Sequence, residues 1–173
     1  VKVLADWDGE YRIDSRGAVV FQRVLDQLLK GYYKDIWGKK VASYMRRSTA
    51  TATWVVEDIE SGDLDKPTLV AAMLGAVPGW DQQQVWGDIH RLSLSHPLAF
   101  APVIGGDYKV EDIPIPGSFT TVHKSAHQVD TKKHFAFFGS QSRHVSDMAD
   151  PDANWFVLLG GQDGVIGSVN FAD

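Results

Sequence analysis

The sequence predicts an α+β fold, helical in its N-terminal half and strand-rich in its C-terminal half. Apolar residues recur at helical spacing, with cap residues at both ends, before about residue 85. From Trp86 onward short runs of β-branched and aromatic residues alternate with Gly and Pro breaks. Helices first and strands later argue for a helical section covering or flanking a sheet supplied by the second half, rather than alternating βαβ units. The chain therefore divides into a mainly helical segment, 1–85, and a strand-rich segment, 86–173. With 173 residues, 44% of them hydrophobic, it is long enough to bury a sizeable core.

The first helix is predicted over Arg16 to Lys30. Ser15 supplies the N-cap; Phe21, Val24, Leu25, Leu28 and Leu29 share one face; Gly31 suits the stop. Tyr32 to Ser48 carries Tyr32, Tyr33, Ile36, Trp37, Val41 and Tyr44 among lysines and reads as an irregular or partly helical connection. A second helix starts at Asp65-Lys66-Pro67, continues through Leu69, Ala72, Met73, Ala76 and Val77, and stops at Pro78-Gly79. Gly75 weakens its interior. Beyond it, Ile89, Leu92 and Leu94 lead into Ser95-His96-Pro97. Strands are then expected at Tyr108 to Ile115, Ser118 to Val122, Phe135 to Phe138, Ser142 to Val145 and Trp155 to Leu159. No internal repeat or low-complexity tract is visible.

Composition excludes several function classes. Seventeen basic against twenty-two acidic side chains leave a net charge of -5, and no basic run exceeds Met45-Arg46-Arg47, so nucleic acid is not an expected partner. The absence of cysteine removes disulfides, zinc-thiolate sites and thiol catalysis, but leaves the compartment open. The longest apolar stretches, Val19 to Phe21 and Trp155 to Leu159, are far shorter than the roughly 18 residues of a membrane-spanning helix, so no membrane partner is expected. The chain opens on Val1 and closes on Asp173 inside patterned stretches, so we read it as a piece of a longer protein.

Candidate chemistry is sparse. His123 and His127 have an i, i+4 spacing, which presents two ligands to one metal only on a helix. Their surroundings read as strand or loop, so no metal site is expected. Gly160-Gly161-Gln162-Asp163-Gly164 lacks the Lys-Ser/Thr of a phosphate loop and reads as a tight turn. Arg143, Val145 and Asp147 alternate on one strand face. Arg143 is expected to be largely buried and paired with a carboxylate, with Asp147 the first choice and Asp150 or Asp152 the alternatives, because a buried unpaired charge is strongly unfavourable. His144 and Ser146 share the other face, a weak Ser/His pair without an orienting acid. Six tryptophans suggest core and interface filling, with a ligand-binding aromatic platform as the minority reading.

Three blocks together carry a resemblance. Asp8-Gly9 with Asp14-Ser15-Arg16-Gly17-Ala18 and Phe21 comes first. Trp86-Gly87-Asp88-Ile89-His90 with His96-Pro97-Leu98 follows. The last runs from Gly139 through Arg143 and Asp147, then Val157 to Gly164, then Gly167-Ser168 and Asn170-Phe171-Ala172-Asp173. In order and spacing they resemble the β-subunit of the penicillin acylase family, within the N-terminal nucleophile hydrolases, toward its C-terminal end. Asp163 in place of the usual Ser, and Asn170-Phe171 in place of His-Tyr, look closer to the cephalosporin and N-acyl-homoserine lactone acylases than to penicillin G acylases.

The resemblance implies a secreted or periplasmic precursor, cleaved autocatalytically into α- and β-subunits and built on an αββα sandwich. Its amide hydrolysis proceeds through an acyl-enzyme on the β-subunit's N-terminal Ser, whose own amine is the base. That nucleophile, the oxyanion-hole donors and the family's calcium ligands are expected upstream, outside this chain. No catalytic, cofactor or metal residue is therefore assigned here, and the isolated chain is expected to be inactive. Its partners would be the remaining β-subunit, the α-subunit and a small acyl-amide substrate, as in antibiotic metabolism or quorum quenching. Roles behind the reacting groups or purely in the scaffold are expected for Arg143 and Asp147 in strand pairing, Gln162 and Ser168 in turns, and His90. The rival readings are a stand-alone binding domain using its aromatic residues, and a catalytically inactive relative.

Overall fold

The computed structural model describes residues 2–129, 132–158, 163 and 165–169. Helices fill the first half and strands the second: α1 (Lys2–Ala5), α2 (Arg16–Lys30), α3 (Tyr32–Met45), α4 (Thr51–Ser61), α5 (Lys66–Gly75) and α6 (Trp86–Ile89), then β1 (His90–Ser95), β2 (Lys109–Pro114), β3 (Ser125–His127), β4 (His134–Gly139), β5 (Ser142–Ser146) and β6 (Asn154–Leu158). The α+β class is thus the observed one. Two compact units form, Val1–Arg91 with Pro114–Phe138, and Leu92–Ile113 with Gly139–Asp173.

In the first unit α2 is the hub, because ten of its fifteen residues are buried. Ser15 caps it by accepting from Ala18 N at 3.2 Å, and at the far end Gly31 N donates to Gln27 O, as the sequence predicts. Val24, Leu25, Leu28 and Leu29 pack with Tyr33, Met45, Val55, Leu64, Ala72, Ala76, Phe119, Ala126 and Val129. A separate cluster gathers Ala18, Val19, Trp86 and Ile89 under Trp7, Tyr11 and Trp80. Buried polar groups on α2 fasten its neighbours. Arg23 donates to Ala76 O and Pro78 O, both at 2.7 Å, covering carbonyls that the end of α5 leaves over. Asp26, fully buried, accepts from Arg46 and from Lys30, each at 2.5 Å.

Several local expectations change. Tyr32 to Met45 is helical on both sides of a break at Gly38, whose φ of 79° and ψ of 161° are open to glycine at little steric cost. Helix α4 was not foreseen. Its stripe is weak, with only Thr51 and Val55 buried, and tertiary packing rather than periodicity sets it. Asp65 caps α5 through Thr68 N as expected. The strand expected at Ser118 to Val122 is a turn. There Thr121 Oγ1 accepts from Ser118 N at 2.9 Å and donates to His123 O at 2.7 Å, taking the groups a ladder would use. The strand in this region is β3, three residues later.

Within the first unit β1 starts parallel to β4, His90 opposite His134 and Arg91 opposite Phe135, with β3 on the other side of β4. In the second unit β1 continues beside β2. His96 there caps a 3-10 turn, Pro97–Phe100, by accepting from Leu98 N at 3.1 Å. β5 and β6 form an antiparallel hairpin in register from Ser142–Leu158 to Ser146–Asn154. Every residue of both strands is exposed, including Val145, Trp155, Phe156 and Val157.

Candidate functional site

The first sequence block and the Trp86–His90 part of the second meet in the first unit. Gly17 lies so close to Trp7 that an added Cβ would stand 2.2 Å from the indole. Trp86 N donates to Ser15 O at 2.9 Å and Gly87 N to Ile13 O at 2.7 Å, tying α6 to the start of α2. Trp86 is fully buried; its ring nitrogen donates to Gly117 O at 3.0 Å. Gly117 is needed there on two counts: its φ is 88°, and a Cβ would fall 1.9 Å from His123 O. Tyr11 lies edge-on to Trp86 and accepts from Gln22 at 2.9 Å. Burial pushes the Tyr11 phenol up to about 12.

Around Trp86 stand His90, His127 and His134, all essentially inaccessible to solvent. His90 stacks on Trp86 at 4.7 Å; His127 and His134 stack on each other at 4.7 Å and 9°; Phe119 closes the other side of His127 at 4.6 Å. Burial, reinforced by neighbouring His134, pushes His90 down to about 3 and His127 well below the usual imidazole range. Both rings are neutral at ordinary pH. His90 Nδ1 lies 3.1 Å from His134 O, which only accepts, so Nδ1 carries the proton. Nε2, 2.8 Å from Ser125 Oγ, is then the acceptor.

This Ser125–His90 pair has the spacing of a nucleophile and its base, but three facts remove the chemistry. Ser125 is 3% exposed and His90 not at all, so no substrate atom reaches the hydroxyl. A base with a pKa near 3 takes a proton poorly at neutral pH. The group behind the ring is a neutral carbonyl rather than a carboxylate, and offers no charge to an imidazolium. Ser125 Oγ also lies 2.9 Å from Pro116 O, a second acceptor for its one proton. The cluster is a packed junction of α2, α6, β1, β3 and β4. Among the described residues no group of three or more His, Asp or Glu side chains is arranged to hold a metal ion.

The other expected residues lie elsewhere. Arg143, expected to be buried, is exposed on β5. The reason is visible in the hairpin: both of its faces are open, so no buried face exists for the Arg143-Val145-Asp147 alternation to line. Asp147, also exposed, accepts from Ala149 N at 2.9 Å in the turn that follows the strand. Ser168 donates to Asp163 at 2.7 Å, a local turn contact. Gln162 lies outside the described residues. In the second Ser/His pair, Ser146 Oγ donates to Asn154 Oδ1 at 2.6 Å and sits 3.1 Å from His144. Asn154 Nδ2 donates to Pro151 O, which fixes the amide carbonyl toward Ser146. That proton is held by an amide and not by a base. Trp86 is in the core, Trp7, Trp37 and Trp80 are half-buried, and only Trp54 and Trp155 are exposed.

Sequence reasoning missed His127, His134 and Ser125 as companions of His90. The nearest signal was the final His of Trp86-Gly87-Asp88-Ile89-His90, whose ring stacks on the Trp that opens the same segment. No curated protein matches the chain. The sequence profile of the penicillin amidase family matches it over residues 1–173, and on that match the chain belongs to the penicillin amidase family.

Proposed function

We propose that this chain is the structural C-terminal portion of the β-subunit of an amidohydrolase, and that the parent enzyme cleaves linear amide bonds through an acyl-enzyme on an N-terminal Ser outside this chain. One observation carries the reading: the family's motif residues here are used for packing. Ser15, Gly17, Trp86, Gly87 and His90 lock a solvent-excluded junction, and the Ser125 hydroxyl beside His90 is buried with it. A segment with this role positions a site supplied by other parts of the enzyme.

The strands support a missing layer. Phe135, Phe137 and Phe138 on β4, and the consecutive Trp155, Phe156, Val157 and Leu158 on β6, are exposed and include neighbours that point to opposite sides of each strand. Strands apolar on both faces are those buried on both faces, as in the sandwich that the remaining β-subunit and the α-subunit would complete. The departures at Asp163 and Asn170-Phe171 favour the cephalosporin and N-acyl-homoserine lactone acylase branch, with a secreted or periplasmic enzyme acting on an antibiotic or a quorum signal.

The test is reconstitution. The chain is incubated alone, then with the remaining subunits co-expressed, with a chromogenic acyl-amide, a cephalosporin amide and an acyl-homoserine lactone. Hydrolysis by the assembled protein alone is the expected outcome. Turnover by the purified chain alone would refute a purely structural role. An assembled protein that turns over none of the three, despite an intact N-terminal Ser, would refute the acylase reading.

A further inference from the structure

Away from the histidine junction, a groove of about 320 Å³ opens along the end of α2 and both segments of α3, lined by Leu29, Lys30, Lys34, Lys39, Ala42, Ser43 and Arg46. The break at Gly38 makes it possible. Lys39, Ala42, Ser43 and Arg46 recur at helical spacing on the second segment of α3, and Lys34 belongs to the first. A straight helix would carry Lys34 and Lys39 on different faces, since five residues turn the chain by about 140° beyond a full turn. Both lysines nevertheless line one groove.

Charge in the groove is one-sided although the chain as a whole is acidic. Four cations line it, and the carboxylate that touches them is Asp26, which is fully buried and already bridges Lys30 and Arg46. Among the described residues neither Lys34 nor Lys39 has an ion-pair partner. Asp35, next to Lys34, does not line the groove. Arg46 adds directional donors. Its side chain is 15% exposed, its Nη1 is held by Asp26 and by Val129 O at 2.7 Å, and its Nε and Nη2 make no hydrogen bond among the described residues. A fixed guanidinium with donors to spare, beside two unneutralised ammonium groups, matches the oxygens of an anion. The volume is at the small end of ligand sites, and the floor of Leu29 and Ala42 is apolar.

We propose that this groove binds a small multivalent oxyanion, a phosphate or carboxylate group held by Lys34, Lys39 and Arg46. Lys34 and Lys39 set the affinity through charge, and Arg46 sets the orientation through its fork.

Isothermal titration of the intact protein with pyrophosphate and, separately, citrate tests it at low and at physiological salt. One equivalent of at least one probe is expected to bind, more weakly as salt rises. The Lys34→Gln/Lys39→Gln double variant, whose two sites are exposed, is expected to weaken binding at least about tenfold, while Lys66→Gln on α5 leaves it unchanged. Pyrophosphate binding without citrate binding assigns a phosphate-bearing ligand, and the reverse assigns a carboxylate. Equal binding of both, lost in the double variant, supports an oxyanion groove of broad scope. No binding of either probe overturns the proposal. So does binding that survives the double substitution, or that Lys66→Gln weakens as much. Unchanged thermal unfolding of the double variant separates lost binding from lost fold.

Discussion

Acidification from pH 7 to pH 5 is expected to destabilise the protein by about 4 kcal/mol, through the buried histidines rather than through carboxylates. His90 is pushed down to about 3 and His127 well below its usual range, both chiefly by burial. Their unfolded pKa is about 6.5. As pH falls below 6.5 the unfolded chain takes up two protons that the native rings do not, so the unfolded state gains relative to the native one. The stability is fully present above about pH 7 and is lost as pH falls through 6.5 toward 3. Two groups give a slope of roughly 3 kcal/mol per pH unit once the window is entered, and integration from pH 7 to 5 gives about 4 kcal/mol. Ordinary carboxylates titrate near pH 4 and contribute little in that interval. The loss compares with a whole folding stability of about 5–15 kcal/mol. Urea melts at pH 7, 6 and 5 read it directly as a falling midpoint at constant m. A midpoint that stays put across that range, or imidazole nitrogen shifts for His90 and His127 that titrate near pH 6.5 in the native protein, would refute the reasoning.

Three substitutions probe the same fold. Gly17→Ala drives a methyl to within 2.2 Å of the Trp7 ring and should cost about 1–3 kcal/mol by overpacking, with a shift in tryptophan emission; an unchanged melt would mean that Trp7 has room to move. Asp26→Asn leaves the buried Arg46 cation without its carboxylate and should cost about 3–5 kcal/mol in a urea melt, against a negligible change for Asp35→Asn at the exposed start of α3. Arg143→Met, at an exposed strand position, should shift the urea midpoint of this chain by the equivalent of less than about 1 kcal/mol, and a loss several times larger would show that Arg143 is buried against a partner group.

The legible parts of the fold were those specified locally. Ser15 and Asp65 announce helix starts because a short oxygen-bearing side chain there satisfies an orphan N–H, and both make that bond. The runs Ser142 to Val145 and Trp155 to Leu159 announce β5 and β6 by their β-branched and aromatic residues, whereas their pairing as a hairpin is seen only in the structure. The errors are non-local. Helix α4 buries only Thr51 and Val55, so its sequence shows no clear stripe. Ser118 to Val122 has strand composition, but Thr121 and Gly117 fold it into a turn through bonds that propensity does not count. Arg143 was placed inside because alternation reveals which residues share a face and nothing about what covers that face.

The histidines make the same point about the site. Spacing in sequence singled out His123 with His127, four apart, whereas the real neighbours of His127 are His90, 37 residues earlier, and His134, brought together by the sheet. Conversely, several residues that carried the family resemblance each meet a strict local demand: no Cβ at Gly17 beside Trp7, little room for one at Gly87 beside Ile13 O, and an indole N–H of Trp86 that finds Gly117 O. Demands of that kind arise wherever backbone and rings are packed to contact, with or without catalysis nearby. A motif made of glycines, caps and a buried tryptophan therefore transmits the fold directly and the reaction only through the family. The Ser125–His90 pair has catalytic spacing but lies where no substrate reaches it, and the exposed Ser146 gives its proton to the Asn154 amide. The proposed acylase reaction must then be tested on the proposed assembly, while acid sensitivity and the Gly17 contact are properties of this chain's own packing.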